Sequence, residues 1–260
     1  SILNLLKIKS HFLYQINKLI SAQYYANQIE QTILEHNIHV VHAHSLYYGY
    51  VSAFIKSKVP VVFTPVGSDV IIHAQESQIY KYMAKGAFKR ANIVTGDSLL
   101  LQKLGYKVGA REDHNSIIQN GVDSTVFFPK KNNLRKLYGI EERDIIIFSP
   151  RAVTPIYNID IIIESLADLK SNKYKIKCMF TVSFGEEYLD KLKAQITKLG
   201  IQENVIWLGF LSYEEMAEHY NVADIIVSVP SSDSSPKSVY EAMFCGKPVI
   251  VTDLEWSHEL

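Results

Sequence analysis

Residues 225–252 read IIVSVPSSDSSPKSVYEAMFCGKPVIVT, and this stretch decides the fold. The apolar run Ile225–Val229 has the length of a buried parallel strand, and the turn-forming residues after it end the strand. Pro236 suits the first position of a helix, with Ser235 as its N-cap, and Gly246 suits the left-handed position after the helix. A second apolar strand follows. The stretch therefore predicts the strand–loop–helix–strand unit of a parallel α/β sheet.

The start of this helix predicts an anion site, because free backbone N–H groups and the positive end of the helix dipole favour phosphate. Lys237 and Ser238 add a charge and a hydroxyl in the first turn. Glu241 can accept two hydrogen bonds from the vicinal hydroxyls of a ribose, and Asp233 in the preceding loop can reach a sugar beyond the phosphates. These groups together predict a nucleotide-sugar. The alternative is a capped surface helix with one weak Lys237–Glu241 salt bridge.

The residue order of this stretch resembles the signature of retaining glycosyltransferases of the GT-B fold, family-4 type. Their motif is Glu-x7-Glu; here Asp233 and Glu241 keep that spacing, and the sequence EAMFCGKPVIVTD matches the rest. The resemblance implies an α/β fold of two Rossmann-like, doubly wound parallel-sheet domains that face a cleft. It implies Asp233 and Glu241 as catalytic residues. It also implies that Ser235, Lys237, Ser238 and Glu241 bind the donor.

The rest of the chain alternates apolar runs with helical segments, such as a helix predicted over Leu46–Ser57. The sequence IIQNGVDSTVFFP, which ends at Pro129, resembles the family's domain boundary. We predict an N-terminal, acceptor-side domain over 1–129 and a C-terminal domain that binds the nucleotide-sugar over 130–260. The chain opens within a helical pattern and stops soon after a strand. We therefore expect the first strand of one domain and the C-terminal end of the other to be missing.

Three further segments of the second half resemble donor-binding parts of the family. Arg151 follows a predicted strand, and its forked donors suit a diphosphate, so we assign it a catalytic role on the leaving group. Gly185 lies in a predicted turn, VSFGE, after the next strand. Phe210 and Leu211 resemble the loop that lines the nucleobase pocket.

The acceptor side is predicted in the first half. His44 ends the segment VHAHS at the end of a strand, where two histidines at i,i+2 point to the same side. A third metal ligand is not placed by the sequence, so no metal site is predicted. The loop Gly67, Ser68 and Asp69 resembles a family loop near the reacting sugar.

Two positions depart from the family pattern. Most members carry a lysine a few residues after the arginine, and here Tyr157 and Asn158 stand near its place. Val66 stands where many members have histidine. A catalytically inactive partner subunit of a glycosyltransferase complex is therefore one alternative function. A nucleotide-sugar epimerase of the GT-B fold is another, and it requires an acid–base pair around the sugar instead of an acceptor groove.

The composition is that of a globular protein, with 260 residues, 47% of them hydrophobic, and zero formal net charge, so nothing indicates a nucleic-acid partner. Before the first acid, Glu30, the chain carries Lys7, Lys9 and Lys18. It also has apolar residues at helical spacing, namely Leu5, Ile8, Phe12, Ile16 and Leu19. This pattern is typical of a basic amphipathic helix on an anionic membrane surface, or of an ordinary packed helix with a solvated basic face.

These features predict a retaining glycosyltransferase that moves a sugar from a nucleotide-sugar to a glycan or lipid-linked acceptor. We expect it in the cytoplasm, peripheral at the inner face of the cell membrane, in the synthesis of a cell-surface polysaccharide, glycolipid or glycoprotein glycan. No cofactor or metal is expected, because Arg151, Lys237 and the helix N-terminus can offset the diphosphate charge. No apolar run reaches transmembrane length.

Overall fold

The computed structural model describes residues 2–169, 175–181 and 185–260, with the side chains of the first helix described from Phe12 onward. The described chain forms two compact α/β units. One unit contains the chain up to Gln119 with two short later segments, Asp233–Ser235 and His258–Leu260; the other contains Asn120–Ser232 and Pro236–Ser257. The units therefore divide after Gln119, ahead of the boundary predicted at Pro129.

The first unit is built on one parallel sheet with the strand order β1-β2-β3-β4. Its elements are α1 (Ile2–His36), β1 (Val41–His44), α2 (Leu46–Ser52), β2 (Val61–Thr64), α3 (Ala74–Glu76), α4 (Gln78–Arg90), β3 (Ile93–Gly96), α5 (Leu99–Lys107) and β4 (Asn115–Ile117). A π-helical turn, Asp69–His73, precedes α3. Val61 and Phe63 of β2 are fully buried, as expected for alternate residues that share one face of a strand.

The apolar face predicted for α1 is packed only in part among its described side chains. Leu19 of that face packs against the core of the unit, whereas Phe12 is 54% exposed. Ala22, Ala26 and Ile33 are buried in the same core, at the four- and seven-residue spacing of one helix face. Small residues face the core because they allow α1 to approach it closely.

The second unit has a five-stranded parallel sheet in the order β7-β6-β5-β8-β9. Its elements are α6 (Leu134–Leu137), β5 (Ile145–Ser149), α7 (Ile159–Leu169), β6 (Ile176–Thr181), α8 (Glu186–Leu199), β7 (Val205–Gly209), α9 (Tyr213–Val222), β8 (Ile225–Ser228), α10 (Lys237–Phe244) and β9 (Val249–Val251). The strand order reverses between β5 and β8, which is the topological switch point of a doubly wound sheet.

The stretch 225–252 forms the predicted unit of strand, loop, helix and strand, but its helix starts one residue late. Pro236 takes the N-cap position with an extended backbone (φ −70°, ψ 114°), and α10 begins at Lys237. The prediction of Ser235 as the N-cap and Pro236 as the first helical residue is therefore wrong. The proline ring fixes φ but does not fix ψ, so the loop can hold Pro236 in an extended conformation.

The end of α10 matches the prediction. Gly246 has a left-handed backbone (φ 70°). The backbone N–H groups of Gly246 and Lys247 donate to the carbonyl oxygens of Met243 (2.9 Å) and Ala242 (3.0 Å). This pair of bonds is the Schellman motif, which satisfies carbonyl groups that the helix end leaves open.

We expect Gly246→Ala to lower the free energy of unfolding by roughly 1–2 kcal/mol, because a Cβ atom is disfavoured at a left-handed backbone. The added Cβ would lie 3.5 Å from Cγ of Pro129, an ordinary contact, so crowding adds little. Urea denaturation measures the effect. Gly121→Ala is the control, because nothing lies within 4 Å of its Cβ position. Equal stability of the two variants would contradict the prediction.

Candidate active site

The carboxyl ends of β5 and β8 bring Arg151 and the first turn of α10 together. Arg151 follows β5 by two residues, and the loop after β8 leads to the start of α10. Ligands of open α/β sheets bind outside the carboxyl ends of the strands at such a switch point. The fold therefore places Arg151 and the N-terminus of α10 where a ligand is expected.

The guanidinium group of Arg151 is held by two neighbours. Its Nη1 donates a hydrogen bond to Oγ of Ser238, at 3.0 Å, in the first turn of α10. The guanidinium carbon lies 4.1 Å from the centre of the Tyr157 ring, which is within cation–π distance. These contacts fix the positive charge of Arg151 beside the N-terminus of α10. The guanidinium and the helix N-terminus both attract a diphosphate.

Two residues stand near the place of the missing lysine, Tyr157 and Asn158, and both contact residues of the second unit. Tyr157 supports the guanidinium of Arg151. Asn158 has a left-handed backbone (φ 51°), and its Nδ2 donates to the carbonyl oxygen of Val229 at 2.8 Å. Its Oδ1 accepts a hydrogen bond from Oγ of Ser231 at 3.0 Å. This segment therefore ties the loop after β5 to the loop after β8.

Glu241 is a buried carboxylate, not the surface residue of the alternative interpretation. Its residue surface is 7% exposed. The hydroxyl of Tyr220 donates to Oε2 at 3.1 Å, and Nζ of Lys237 lies 3.7 Å from Oε1. Burial raises the pKa of Glu241, while the Tyr220 hydrogen bond and the Lys237 charge oppose that rise. Burial and the charge of Glu241 also raise the pKa of Tyr220 well above its usual value.

The segment after β7, predicted to line a nucleobase pocket, carries one exposed and one packed apolar side chain. Phe210 is 86% exposed and follows Gly209, whose backbone is left-handed (φ 75°). Leu211 packs against the core of the unit. The segment therefore exposes the Phe210 ring at the carboxyl edge of the sheet, and Leu211 anchors it to the core. Gly185 lies directly before α8 with φ 134°, whereas residues 182–184 of the predicted turn lie outside the described residues.

In the first unit, where the sequence predicts the acceptor side, a row of polar side chains crosses the carboxyl ends of three strands. The rings of His42 and His44 lie 4.0 Å apart. His42 Nε2 is hydrogen-bonded to Oγ1 of Thr64 at 2.8 Å, and Thr64 is hydrogen-bonded to Thr95 at 2.5 Å. Burial and the neighbouring His44 lower the pKa of His42. The described residues contain no group of three or more potential metal ligands.

The predicted acceptor-side loop is held by Asp69. This residue is buried, and its carboxylate accepts the backbone N–H groups of Leu46 (2.6 Å) and Val66 (3.1 Å). Burial raises the pKa of Asp69, and these hydrogen bonds oppose the rise. Asp69 therefore joins the segments that follow β1 and β2. Ser68 lies in the N-cap position of the π-helical turn, and Gly67 has a left-handed backbone (φ 81°).

Asp97, at the carboxyl end of β3, is a site residue that sequence analysis missed. Its Oδ2 accepts a hydrogen bond from Oγ of Ser234 at 3.0 Å, and Asp233 accepts the backbone N–H of Ser234 at 2.9 Å. Burial and the charge of Asp233 raise the pKa of Asp97, whereas the Ser234 hydrogen bond lowers it. Asp97 thus positions the segment that carries Asp233. Its place directly after β3 was the available signal, because polar residues at carboxyl strand ends are candidates for ligand sites.

A separate apolar pocket of about 410 Å³ lies beside α7 in the second unit. Its walls include Ile161, Leu166, Val227 and Ile250, and none of the described residues that line it is charged. It therefore lacks groups that would bind a diphosphate, in contrast to the cluster around Arg151.

Two family models match the sequence. One, described as glycosyl transferases group 1, matches residues 130–259; the other, described as glycosyl transferase 4-like, matches residues 3–98. The chain belongs to the glycosyl transferases group 1 family. The first match begins at residue 130, the predicted start of the C-terminal domain.

Curated relatives of this chain differ in the products that their names give. Alpha-monoglucosyldiacylglycerol synthase of Streptococcus pneumoniae is 26% identical over 215 residues, which are 74% of this chain and 46% of the relative. N-acetyl-alpha-D-glucosaminyl L-malate synthase of Bacillus anthracis is 21% identical over 233 residues, 87% of this chain and 60% of the relative. The chain thus spans about half the length of the curated relatives that it matches.

Solved glycosyltransferase structures share the fold. The structure of Anabaena Alr3699/HepE in complex with UDP-glucose has a TM-score of 0.79 at 23% identity, covering 90% of this chain and 64% of that one. Sucrose-phosphate synthase from Thermosynechococcus elongatus has a TM-score of 0.79 at 14% identity, covering 88% and 60%. The predicted α/β, GT-B fold class is therefore confirmed. Among the described residues, no helix is long and apolar enough to span a bilayer.

Proposed function

We propose that this member of glycosyl transferases group 1 transfers a sugar from a nucleoside-diphosphate-sugar to a glycan or lipid-linked acceptor. The observation that carries the proposal is the cluster of Arg151, Ser238 and Glu241 around the start of α10. Arg151 and the helix N–H groups suit the diphosphate, and the buried carboxylate of Glu241 suits a ribose diol. The HepE structure in complex with UDP-glucose supports this donor class.

In the proposed reaction, the bond between the sugar C1 and the diphosphate oxygen breaks, and the acceptor oxygen bonds to C1 on the same face. The leaving phosphate takes the acceptor's proton, so the configuration is retained. Arg151, Lys237 and the α10 N-terminus offset the negative charge that develops on the leaving group. The proposal therefore needs no metal ion, and no cofactor other than the nucleotide-sugar substrate.

A panel of nucleotide-sugars tests the donor by thermal shift. The bound donor is expected to stabilise the protein by roughly 2.7 kcal/mol at a hundredfold excess over its Kd. With an acceptor mixture, NMR of the new anomeric centre should show retention. Absence of stabilisation by every nucleotide-sugar would contradict the proposal. Conversion of the donor alone would indicate an epimerase, and binding without turnover a partner subunit.

For the membrane, we propose that the contact is made by apolar and aromatic side chains of α1. Its exposed side chains include Phe12, Leu13, Ile20 and Tyr24.

The ammonium of Lys18, one of the three lysines in the sequence-based hypothesis, instead packs among tyrosine rings. It lies 4.6, 5.5 and 5.4 Å from the ring centres of Tyr14, Tyr47 and Tyr80. Lys18 is thus a poor choice for a charge-reversal test. The diacylglycerol in the name of the Streptococcus relative supports a lipid-linked setting.

Accordingly, the double variant Ile20→Asp, Tyr24→Asp should weaken binding to phosphatidylglycerol vesicles by about tenfold or more, because two side chains that would enter the interface become charged. Co-sedimentation with vesicles measures the change. Leu137→Asp is the control, because Leu137 is 73% exposed in the second unit. If the double variant and the control bind vesicles equally well, α1 does not contact the membrane.

A further inference from the structure

The second unit contains a polar pocket at the edge of its sheet opposite to the candidate donor site. The pocket has a volume of about 460 Å³, within the range of small-ligand sites. Its lining comes from the segments before β5, β8 and β9, at the amino ends of the strands, and from the segment 130–135. Arg151 lies past the other end of β5, roughly 15 Å away along the five-residue strand. A ligand in this pocket is therefore distinct from the donor.

The walls of the pocket are held by hydrogen bonds that do not need a ligand. Arg135 donates to the carboxylate of Asp224 at 2.6 Å and to the carbonyl oxygen of Asp144 at 2.9 Å. The Asn221 side chain accepts the backbone N–H of Lys130 at 2.8 Å and donates to the carbonyl oxygen of Phe128 at 3.0 Å. The pocket is therefore preformed, which lowers the entropic cost of binding.

The pocket lining carries an excess of positive charge. Among the described residues, four cationic side chains line it against two acidic ones, which are Glu142 and Asp224; the cationic ones are Lys130, Lys131, Arg135 and Lys247. Asp224 pairs with Arg135, and Glu218 outside the lining pairs with Lys130 at 2.7 Å.

The charges of the other two lysines are not neutralised in this way. Among the described residues, no ion pair joins Lys131 or Lys247 to a carboxylate. Lys131 is exposed. Nζ of Lys247 donates to a neutral group, the carbonyl oxygen of Asn221, at 2.9 Å, and has two further N–H donors. These two lysines are therefore the groups with charge available for an anion.

We propose that this pocket binds a phosphate-bearing anion through Lys131 and Lys247. Ammonium groups bind phosphate as point charges, and Asn132 and Asn221 add polar atoms to the lining. The ligand would contact both the segment 130–135 and the amino ends of the strands, so its binding would stabilise that segment against the sheet. The phosphate group is either free, as in a soluble phosphate ester, or part of a lipid headgroup. The proposal does not depend on the proposed sugar transfer.

The test measures the Kd of pyrophosphate by calorimetry in the Arg151→Ala background, which weakens phosphate binding at the donor site equally in all variants. Lys131→Ala combined with Lys247→Gln is expected to raise this Kd at least tenfold, because two charge-assisted interactions are lost. Gln at 247 can still donate to the Asn221 carbonyl. Lys193→Ala is the control, because Lys193 is exposed on α8. Lys131→Ala alone should give a smaller increase, and it keeps the contact of Lys247.

The same variants are then tested on vesicles of phosphatidylcholine with and without phosphatidic acid. Loss of the phosphatidic-acid-dependent binding in the double variant identifies a lipid headgroup as a source of the phosphate. Vesicle binding that is the same in the double variant and the control, together with weakened pyrophosphate binding, identifies a soluble ligand. A pyrophosphate Kd that is the same in the double variant, in Lys131→Ala and in Lys193→Ala overturns the proposal.

Discussion

Arg151→Ala is expected to lower turnover by a factor on the order of a hundred or more, while the donor Kd changes less. The negative charge on the leaving diphosphate grows toward the transition state, so a cation beside it stabilises the transition state more than the bound donor. The guanidinium of Arg151 is fixed for this role by Ser238 and Tyr157. Steady-state kinetics together with donor Kd values separate the two effects.

Two further variants test whether the activity needs a guanidinium group at residue 151 or only a positive charge near that place. Arg151→Lys should restore only part of the activity, because an ammonium group lacks the forked donors. Tyr157→Lys in the Arg151→Ala background should restore part of it too, because the Tyr157 ring lies 4.1 Å from the guanidinium and a lysine there brings a charge to nearly the same place. Arg143→Ala is the control, since the Arg143 side chain is 75% exposed and forms a surface ion pair with Glu141. Full activity of Arg151→Ala would shift the role to Lys237 and the α10 N-terminus.

Strands such as β5 and β8 could be predicted from the sequence because each is a short apolar run. The ends of helices were harder to predict from the sequence. A helix was predicted over Leu46–Ser57, but α2 ends at Ser52. The carboxylate of Glu30, on α1, accepts the backbone N–H groups of Lys56 (2.9 Å) and Ser57 (3.0 Å). A residue more than twenty positions away thus holds the end of the predicted helix in another conformation, which local sequence cannot show.

The same distinction separates the candidate site residues that the sequence predicted from those that it did not. The family motif marks Glu241, and the end of a predicted strand marks Arg151. Tyr220 and Asp97 were missed because their roles come from tertiary contacts, with Glu241 and Ser234 respectively. The sequence treated Asp69 as a polar loop residue near the substrate, whereas its carboxylate binds backbone N–H groups at two strand ends.

The pairing of Glu241 with Tyr220 changes how its role must be tested. The alanine variant would leave the buried hydroxyl of Tyr220 without its acceptor, which costs stability whatever Glu241 does in binding. Glu241→Gln keeps the size of the side chain and an acceptor oxygen while removing the charge. Tyr220→Phe removes the hydroxyl donor and leaves the carboxylate. The two variants therefore separate ribose binding from the packing of the pair.

Glu241→Gln is expected to raise the Kd of a nucleotide-sugar by roughly tenfold to a hundredfold at neutral pH, because the ribose diol loses charge-assisted hydrogen bonds. Burial raises the pKa of Glu241, so the carboxylate is protonated at a higher pH than an ordinary glutamate. Wild-type affinity should therefore fall as the pH is lowered toward this raised pKa, and the Gln variant should lack that fall.

Tyr220→Phe provides a second test of the pH dependence of donor affinity. The Tyr220 hydrogen bond stabilises the carboxylate and lowers the pKa of Glu241, so its removal should move the fall in affinity to still higher pH. Affinity well above that range should stay close to that of the wild type. Calorimetry across the acid range with an intact nucleotide-sugar gives the Kd values. If wild type and Glu241→Gln bind the donor equally at neutral pH, Glu241 serves Tyr220 and Lys237 in the fold and does not hold the ribose.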